Sequence, residues 1–293
     1  MSRRSVRRPG LFGLVAALGA ALAAAASVRA ASQQPVFSTR VDTVRVDVEV
    51  RRGGRLASGL TAADFEVFDN GARQTVDLVT ASTLPVSVVL ALDTSASLDA
   101  PQRAHLIRAG TRLIDELKPG ESAALVTFSG RVMIPTPFTA DTARLRTLVA
   151  APTASGDTAL RDAAHIAMLL GTTAPGRPLV ILLSDGDDTA SFLSADAVLE
   201  TAQRTGAVVS VVTIGRDSEL LKELTAVTGG ALVKEQSLDR VAERFSELLE
   251  SFRHRYLLSF TPTEGSRPGW HRLSVRVRGG DEVRARTGYW SGS

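Results

Sequence analysis

Asp93, Ser95 and Ser97 form an Asp-x-Ser-x-Ser cluster directly after an apolar run, Val86 to Leu92. That run is too continuous for a half-exposed strand and too short for a helix, which suits the centre of a parallel sheet covered on both faces. The cluster then falls at the carboxyl end of a buried strand, where such sheets bind their ligands. Alternate positions in a tight loop can turn their side chains toward one point, so one carboxylate and two hydroxyls become a set of hard oxygen donors. Asp185 ends a second apolar stretch, Leu179 to Leu183. If the strand order reverses between these two strands, both carboxylates flank one crevice. Thr158, just after Gly156-Asp157 and at the start of a helical pattern, can supply a third loop. Asp93, Ser95, Ser97, Thr158 and Asp185 include no imidazole or thiolate, and hard donors of this kind select Mg²⁺, Mn²⁺ or Ca²⁺ rather than zinc. Neutral hydroxyls leave such an ion electrophilic, and an open position on it would attract the Asp or Glu carboxylate of a protein partner.

Each of these residues also has an ordinary structural reading. Ser97 and Thr158 are types that cap helices, and Asp185-Gly186 is a common turn pair. Their joint occurrence, on loops where one sheet places its site, favours metal binding over separate caps and turns. Asp187 and Asp188 read as a solvated turn, and Asp157 as a poorer donor than Thr158. The histidines, His105, His165, His254 and His271, lack metal-ligand spacing and read as structural or surface groups. Hydrolysis is the weaker reading: Asp93 stands where a phosphohydrolase carries its nucleophile, but Ser95 occupies the place of the second acid. No Gly-x-Ser-x-Gly elbow, Walker loop or dinucleotide fingerprint is present. The expectation is a binding protein and not an enzyme. Its alternatives are a structural envelope protein whose ion only braces loops and a metal-dependent hydrolase.

The elements that must position these loops follow from hydrophobic period. From Pro85 onward apolar strands alternate with helical stripes, such as Leu106, Ile107, Gly110, Leu113, Ile114 and Leu117. The pattern predicts strands at 123–128, 131–135, 179–183, 208–214 and 231–233. It predicts helices near 141–150, 159–170, 195–204 and 219–227, and a last one carrying Val241, Phe245, Leu248 and Phe252. Such alternation implies a doubly wound, mostly parallel α/β domain. Before it, Val44, Val46, Val48 and Val50 alternate with Arg45, Asp47, Glu49 and Arg51, the pattern of a half-buried antiparallel strand. Phe65 to Phe68 and Gln74 to Val79 flank an Asn70-Gly71 hairpin signal, and Thr61 stands as the cap of one helical turn. After it, Tyr256 to Phe260, Leu273 to Val277 and Val283 to Thr287 read as three more strands. Neither set is large enough for its own core, so the two are expected to combine into one antiparallel β-sandwich with the α/β domain inserted between them. The expected boundaries are 31–83 and 254–293 for the sandwich halves and 84–253 for the α/β domain.

Residues 1–30 read as a signal peptide: Arg3, Arg4, Arg7 and Arg8 precede an alanine-rich stretch ending in Val28-Arg29-Ala30. The alternative is a retained anchor, since the apolar stretch is near the lower limit for a span. Cleavage implies export to the periplasm or cell exterior, with no stable membrane span afterwards. It also removes five arginines and takes the formal charge from +3 to −2, so nothing in the charge points to nucleic acid. The chain has 293 residues, 44% of them hydrophobic, and no cysteine; an exported form must hold together by packing alone.

The Asp-x-Ser-x-Ser loop at Asp93, Ser95 and Ser97, the Gly-x-Thr loop at Gly156 to Thr158, and Ser184-Asp185-Gly186 resemble the von Willebrand factor type A family. The resemblance implies a metal-ion-dependent adhesion site in which Ser95, Ser97 and Thr158 bind the ion directly or nearly so, and the two acids directly or through water. Ala96 replaces the family's usual glycine and Leu98 its frequent methionine, neither at a ligand position. The stretch Gly59 to Gly71 and the closing Arg284-Ala285-Arg286-Thr287-Gly288-Tyr289-Trp290 are similar to the flanks of an acidobacterial VWFA-related family of exported proteins.

Overall fold

Valines at every second position of β1 (Val44–Arg52) open the ordered chain, which continues through β2 (Arg55–Leu56), β3 (Phe65–Asp69), β4 (Ala72–Gln74) and β5 (Asp77–Val79). The α/β portion follows as β6 (Val86–Asp93), α1 (Ala100–Asp115), β7 (Ser122–Phe128), β8 (Val132–Thr139), α2 (Thr142–Ala150), α3 (Leu160–Gly171) and β9 (Arg177–Ser184). It goes on with α4 (Ala195–Arg204), β10 (Val208–Thr213), α5 (Glu219–Thr228), β11 (Leu232–Lys234) and α6 (Val241–Arg253). The chain closes with β12 (Tyr256–Phe260), β13 (Gly269–Val277), β14 (Glu282–Arg284) and β15 (Gly288–Ser291). This computed structural model describes residues 43–79, 84–151, 156–215, 218–262 and 268–292. The expected signal peptide lies outside the described residues, as do residues 31–42 of the expected sandwich. Among the described residues no helix is long and apolar enough to cross a membrane.

The central sheet has the order β11-β10-β9-β6-β7-β8, parallel except for β8 at one edge. The chain leaves β6 toward β7, then returns to the other side of β6 as β9 and continues outward. The order therefore reverses between β6 and β9, as the two apolar runs ending in acids required. Every residue of β6 is buried. Val88, Leu90 and Leu92 face α1, α2 and α6, whose Leu113, Val149, Phe245 and Phe252 complete that side of the core. Val89 and Ala91 join the opposite cluster with Leu160, Ala164, Met168, Val198 and Leu224 of α3, α4 and α5. A strand with helices on both faces has no polar alternation, which is why its sequence reads as a continuous apolar run.

Two antiparallel sheets pack together from the ends of the chain. One runs β14-β1-β12-β5 with β2 beside β1, and the other β15-β13-β3-β4. Val46, Val48 and Val50 of β1 meet Phe65 and Val67 of β3, Leu258 and Phe260 of β12 and Leu273 of β13 in one core. The architecture is thus a doubly wound α/β domain set between the two halves of a β-sandwich.

Several expectations need correction. The strand expected at 283–287 ends at Arg284 as β14, and a further strand, β15, begins at Gly288 in the other sheet. After β14 the chain crosses between sheets and lies against the end of α5, where Thr287 N donates to Val227 O and a side chain on Gly229 would strike Ala285 and Arg286. The short strand expected at 131–135 is longer and forms the antiparallel edge. The polar side of β1 is exposed at Arg45 but covered at its middle. Asp47 pairs with Arg177 at the start of β9, and Glu49, 3% exposed, accepts hydrogen bonds from Ser251 and Arg255. The helical turn expected before β3 is present at Ala62–Asp64 with Thr61 at its N-cap, and the Asp64 carboxylate accepts from Thr61 N and Oγ1.

Candidate metal centre

Three loops meet at the carboxyl end of the central sheet. β6 ends in Asp93, and the next residues turn sharply because Thr94 N and Oγ1 both donate to Phe128 O at the end of β7 (2.7 and 2.9 Å). Ala96 N then donates to Gly156 O at 3.1 Å, joining the first loop to the second. Thr158 N donates to Thr189 Oγ1 at 2.9 Å and Thr158 O accepts from Thr189 N at 2.9 Å, joining the second loop to the third. The third loop closes back on the first through Ser184 Oγ, which donates to Asp93 Oδ2 at 2.9 Å. Each pair of loops is tied by at least one hydrogen bond, so the donor residues share one rigid frame.

Asp93 is 0% exposed, and its Oδ1 accepts from Ser95 N at 2.9 Å. Burial pushes its carboxyl above the usual range and the nearby charge of Asp185 adds to the rise, against the hydrogen bonds from Ser95 and Ser184. Among the described residues no arginine, lysine or histidine pairs with Asp93 or Asp185. A buried carboxylate beside a second one and without a cation is costly. Ser95, also fully buried, has its Oγ 2.7 Å from Ser97 Oγ. Thr158 is 3% exposed, and its hydroxyl makes no hydrogen bond to any described residue. The structure gives the capping roles to other residues. Asp99 caps α1 by accepting from Gln102 N at 2.8 Å, and α3 begins after Ala159 without a side-chain cap. The hydroxyls of Ser97 and Thr158 are therefore not spent on helix ends.

This donor set fits a hard divalent cation. Two carboxylates supply the negative charge, and three hydroxyls retain lone pairs. Among the described residues no three His, Asp or Glu side chains converge on one point, so hydroxyl oxygens would have to complete the coordination. Gly186, at φ 91°, turns the chain after Asp185 in a conformation that favours glycine. At the head of the next loop, a Cβ on Gly215 would lie 2.0 Å from Asp185 O; only glycine lets the chain after β10 pass so close.

The surroundings were only partly foreseen. Asp187 is exposed, as a solvated turn requires, but Asp188 is not part of one. Its carboxylate accepts from Arg161 N and Nε, both at 2.9 Å, and fixes the first turn of α3 behind Thr158. Burial acts to raise the Asp188 carboxyl, but the hydrogen bonds from Arg161 and Ser191 outweigh it and hold it below the usual range. Asp157 is exposed beside Thr158. Ser184 and Thr189 support the site and had been given no role, although Ser184 stands inside the Ser-Asp-Gly motif.

Residues 88–187, from β6 to just beyond β9, match the family model of the von Willebrand factor type A domain. The UPF0353 protein of Mycolicibacterium gilvum is 26% identical over 65% of this chain, and the match spans 66% of that protein's own length, just under two thirds. Among solved structures, a von Willebrand factor type A protein from Catenulispora acidiphila aligns at a TM-score of 0.51 and 15% identity, covering 86% of this chain and 75% of that one. Proximal thread matrix protein 1 from the mussel byssus, solved with a zinc-occupied MIDAS motif, aligns at 0.51 and 18% identity over 64% of this chain and 50% of its own. Likeness at these identities speaks for the fold. The family match across β6 to β9 and the sheet order found there give residues 88–187 the likeness and the fold of a von Willebrand factor type A domain.

Proposed function

We propose that the protein is an exported, divalent-cation-dependent binding module and not an enzyme, with Asp93, Ser95, Ser97, Thr158 and Asp185 as the residues that hold the ion. The observation that carries this reading is the buried, uncompensated carboxylate of Asp93, with Asp185 and three available hydroxyls on loops tied to one another. Mg²⁺ is the favoured ion, with Mn²⁺ and Ca²⁺ as chemical equivalents, because every donor is oxygen. The zinc in the byssus protein's motif belongs to that protein; it supports a divalent ion here without choosing among them. When bound, the ion would supply a Lewis-acidic position for the Asp or Glu carboxylate of a protein partner. The chain's own residues do the rest. Ser184 and the amide of Ser95 hold the Asp93 carboxylate in place, Asp188 and Arg161 fix the helix behind Thr158, and Gly215 sets the backbone of Asp185. The rest of the architecture is assigned on the same footing: residues 1–30 as a cleaved signal peptide, 84–253 as the binding domain, and 31–83 with 254–293 as its β-sandwich base.

The test is selection of binders from a displayed peptide library against the protein in Mg²⁺. Recovered binders should share an Asp or Glu whose amidation abolishes binding, and they should release on chelation and fail to bind Asp93→Ala. Binders that survive chelation and ignore Asp93→Ala would place recognition on another surface.

A further inference from the structure

The outer face of the sheet β15-β13-β3-β4 gathers positive charge. Along β13, Leu273, Val275 and Val277 pack into the sandwich core, so alternation turns Trp270, Arg272, Ser274 and Arg276 outward. Register sets their neighbours on the same face: Glu66 lies opposite Arg276, Phe68 opposite Ser274, Arg73 opposite Phe68, and Trp290 opposite Trp270. Arg278, just past β13, joins them, because its Nε is 4.0 Å from Glu66 Oε1. Arg73, Arg272, Arg276 and Arg278 are all exposed. Glu66 serves both Arg73 and Arg278, and Asp64, at the rim beside Arg278, is engaged by Thr61. Arg272 and Arg276 have no carboxylate partner among the described residues; Arg276 stands over the Phe68 ring, 5.3 Å from its centroid.

Beside these arginines an aromatic ring lies down on the sheet. A Cβ on Gly288, the residue opposite Arg272, would be 2.3 Å from Cζ2 and 2.7 Å from Cε2 of Trp270. The indole therefore covers the glycine, stays partly exposed, and has no cation over it among the described residues. We propose that this face binds an acidic polysaccharide, with uronate carboxylates on Arg272, Arg276 and Arg278 and one sugar ring stacked on Trp270. Arg272 and Arg276 are four strand residues apart, about 14 Å, so a single small ion cannot serve both. A guanidinium pairs with a carboxylate through two parallel N–H donors, and the C–H face of a pyranose suits the electron-rich face of an indole. Single-stranded nucleic acid would stack successive bases on successive rings. Here Phe68 and Trp290 already carry guanidiniums, those of Arg276 and Arg204, the latter at 4.0 Å. An anionic bilayer would meet the arginines but leave the flat ring of Trp270 unused.

The experiment is a calorimetric titration of oligogalacturonate into the full chain at low salt. Chelator is present, so that no ion at Asp93 can take up a carboxylate. Parallel titrations use its methyl ester, which keeps the rings and loses the charge, oligoglutamate, which keeps the charge and loses the rings, oligothymidylate, and phosphatidylglycerol vesicles. Oligogalacturonate should bind saturably, at least about tenfold more tightly than each of these, and should weaken as salt is added. Trp270→Ala should weaken it about tenfold. Arg272→Glu removes no side-chain hydrogen bond or ion pair among the described residues, so at an unchanged melting temperature it should weaken binding about tenfold or more. Absence of saturable oligogalacturonate binding, equal or tighter binding of any of the four comparison ligands, or unchanged binding in Arg272→Glu would each overturn the proposal.

Discussion

Replacing Glu49 with glutamine isolates the charge that joins the sandwich to the α/β domain. The carboxylate is 3% exposed and accepts from Arg51 Nε and Ser251 Oγ at 2.7 Å, Arg255 Nη2 at 3.2 Å and Arg284 Nη1 at 3.4 Å. Burial alone would raise its pKa, but the charge of Arg255, the hydrogen bonds from Arg51 and Ser251 and the charge of Arg284 outweigh it, bringing the group from 4.5 down to about 2. A depressed carboxyl contributes stability that is complete above the unfolded pKa and is lost as pH falls through the folded one. At about 1.4 kcal/mol per pKa unit, the shift corresponds to roughly 3 kcal/mol at pH 7. An independent route agrees, because removing one partner of a buried ion pair costs about 3 to 5 kcal/mol. Urea unfolding of wild type and Glu49→Gln at pH 7 should therefore differ by about 3 kcal/mol, and the gap should shrink to roughly half that or less by pH 3. A gap of equal size at both pH values would show that the loss comes from packing or a neutral hydrogen bond, and would refute the electrostatic account.

The metal centre gives two further expectations. Gly215→Ala places a Cβ 2.0 Å from Asp185 O, so the loop must shift; divalent-ion affinity should fall by about tenfold and stability by roughly 1 to 3 kcal/mol, measured by titration and by melting. With chelator present, Asp93→Asn should melt higher than wild type at neutral pH, because it removes a carboxylate that burial and Asp185 disfavour, and saturating Mg²⁺ should reverse the order. An unchanged order on adding the ion would separate Asp93 from ion binding.

The parts of this architecture legible in the sequence were those with a strong local period. Val86 to Leu92 and Leu179 to Leu183 announced strands covered on both faces, and the acids after them marked the switch point found between β6 and β9. The helices α1 to α6 followed from their apolar stripes. What escaped was set by contacts distant in sequence. β2 has two residues, too few to show a period, and is a strand only because β1 pairs with it, while the one stretch expected at 74–79 divides between β4, which pairs with β3, and β5, which pairs with β12. Alternation in β1 correctly located its valines, yet alternation cannot tell water from a layer of arginines, so Asp47 and Glu49 read as solvated when Arg177 and Arg255 cover them. Asp188 carries no sign that Arg161 will pair with it, and Thr189 none that it will tie two loops. In His271 the reading as a structural group was right, though not at a surface: it is 3% exposed, bonded to Asp69 and Tyr289 inside the sandwich.

The measurement that bears most directly on the central claim is calorimetric titration of Mg²⁺ into the protein and into Asp93→Ala, with the fold of both checked by circular dichroism. The account predicts one saturable site in the wild type and none in the folded variant. Equal binding in both proteins, or no binding of Mg²⁺, Mn²⁺ or Ca²⁺ in the wild type, would contradict it.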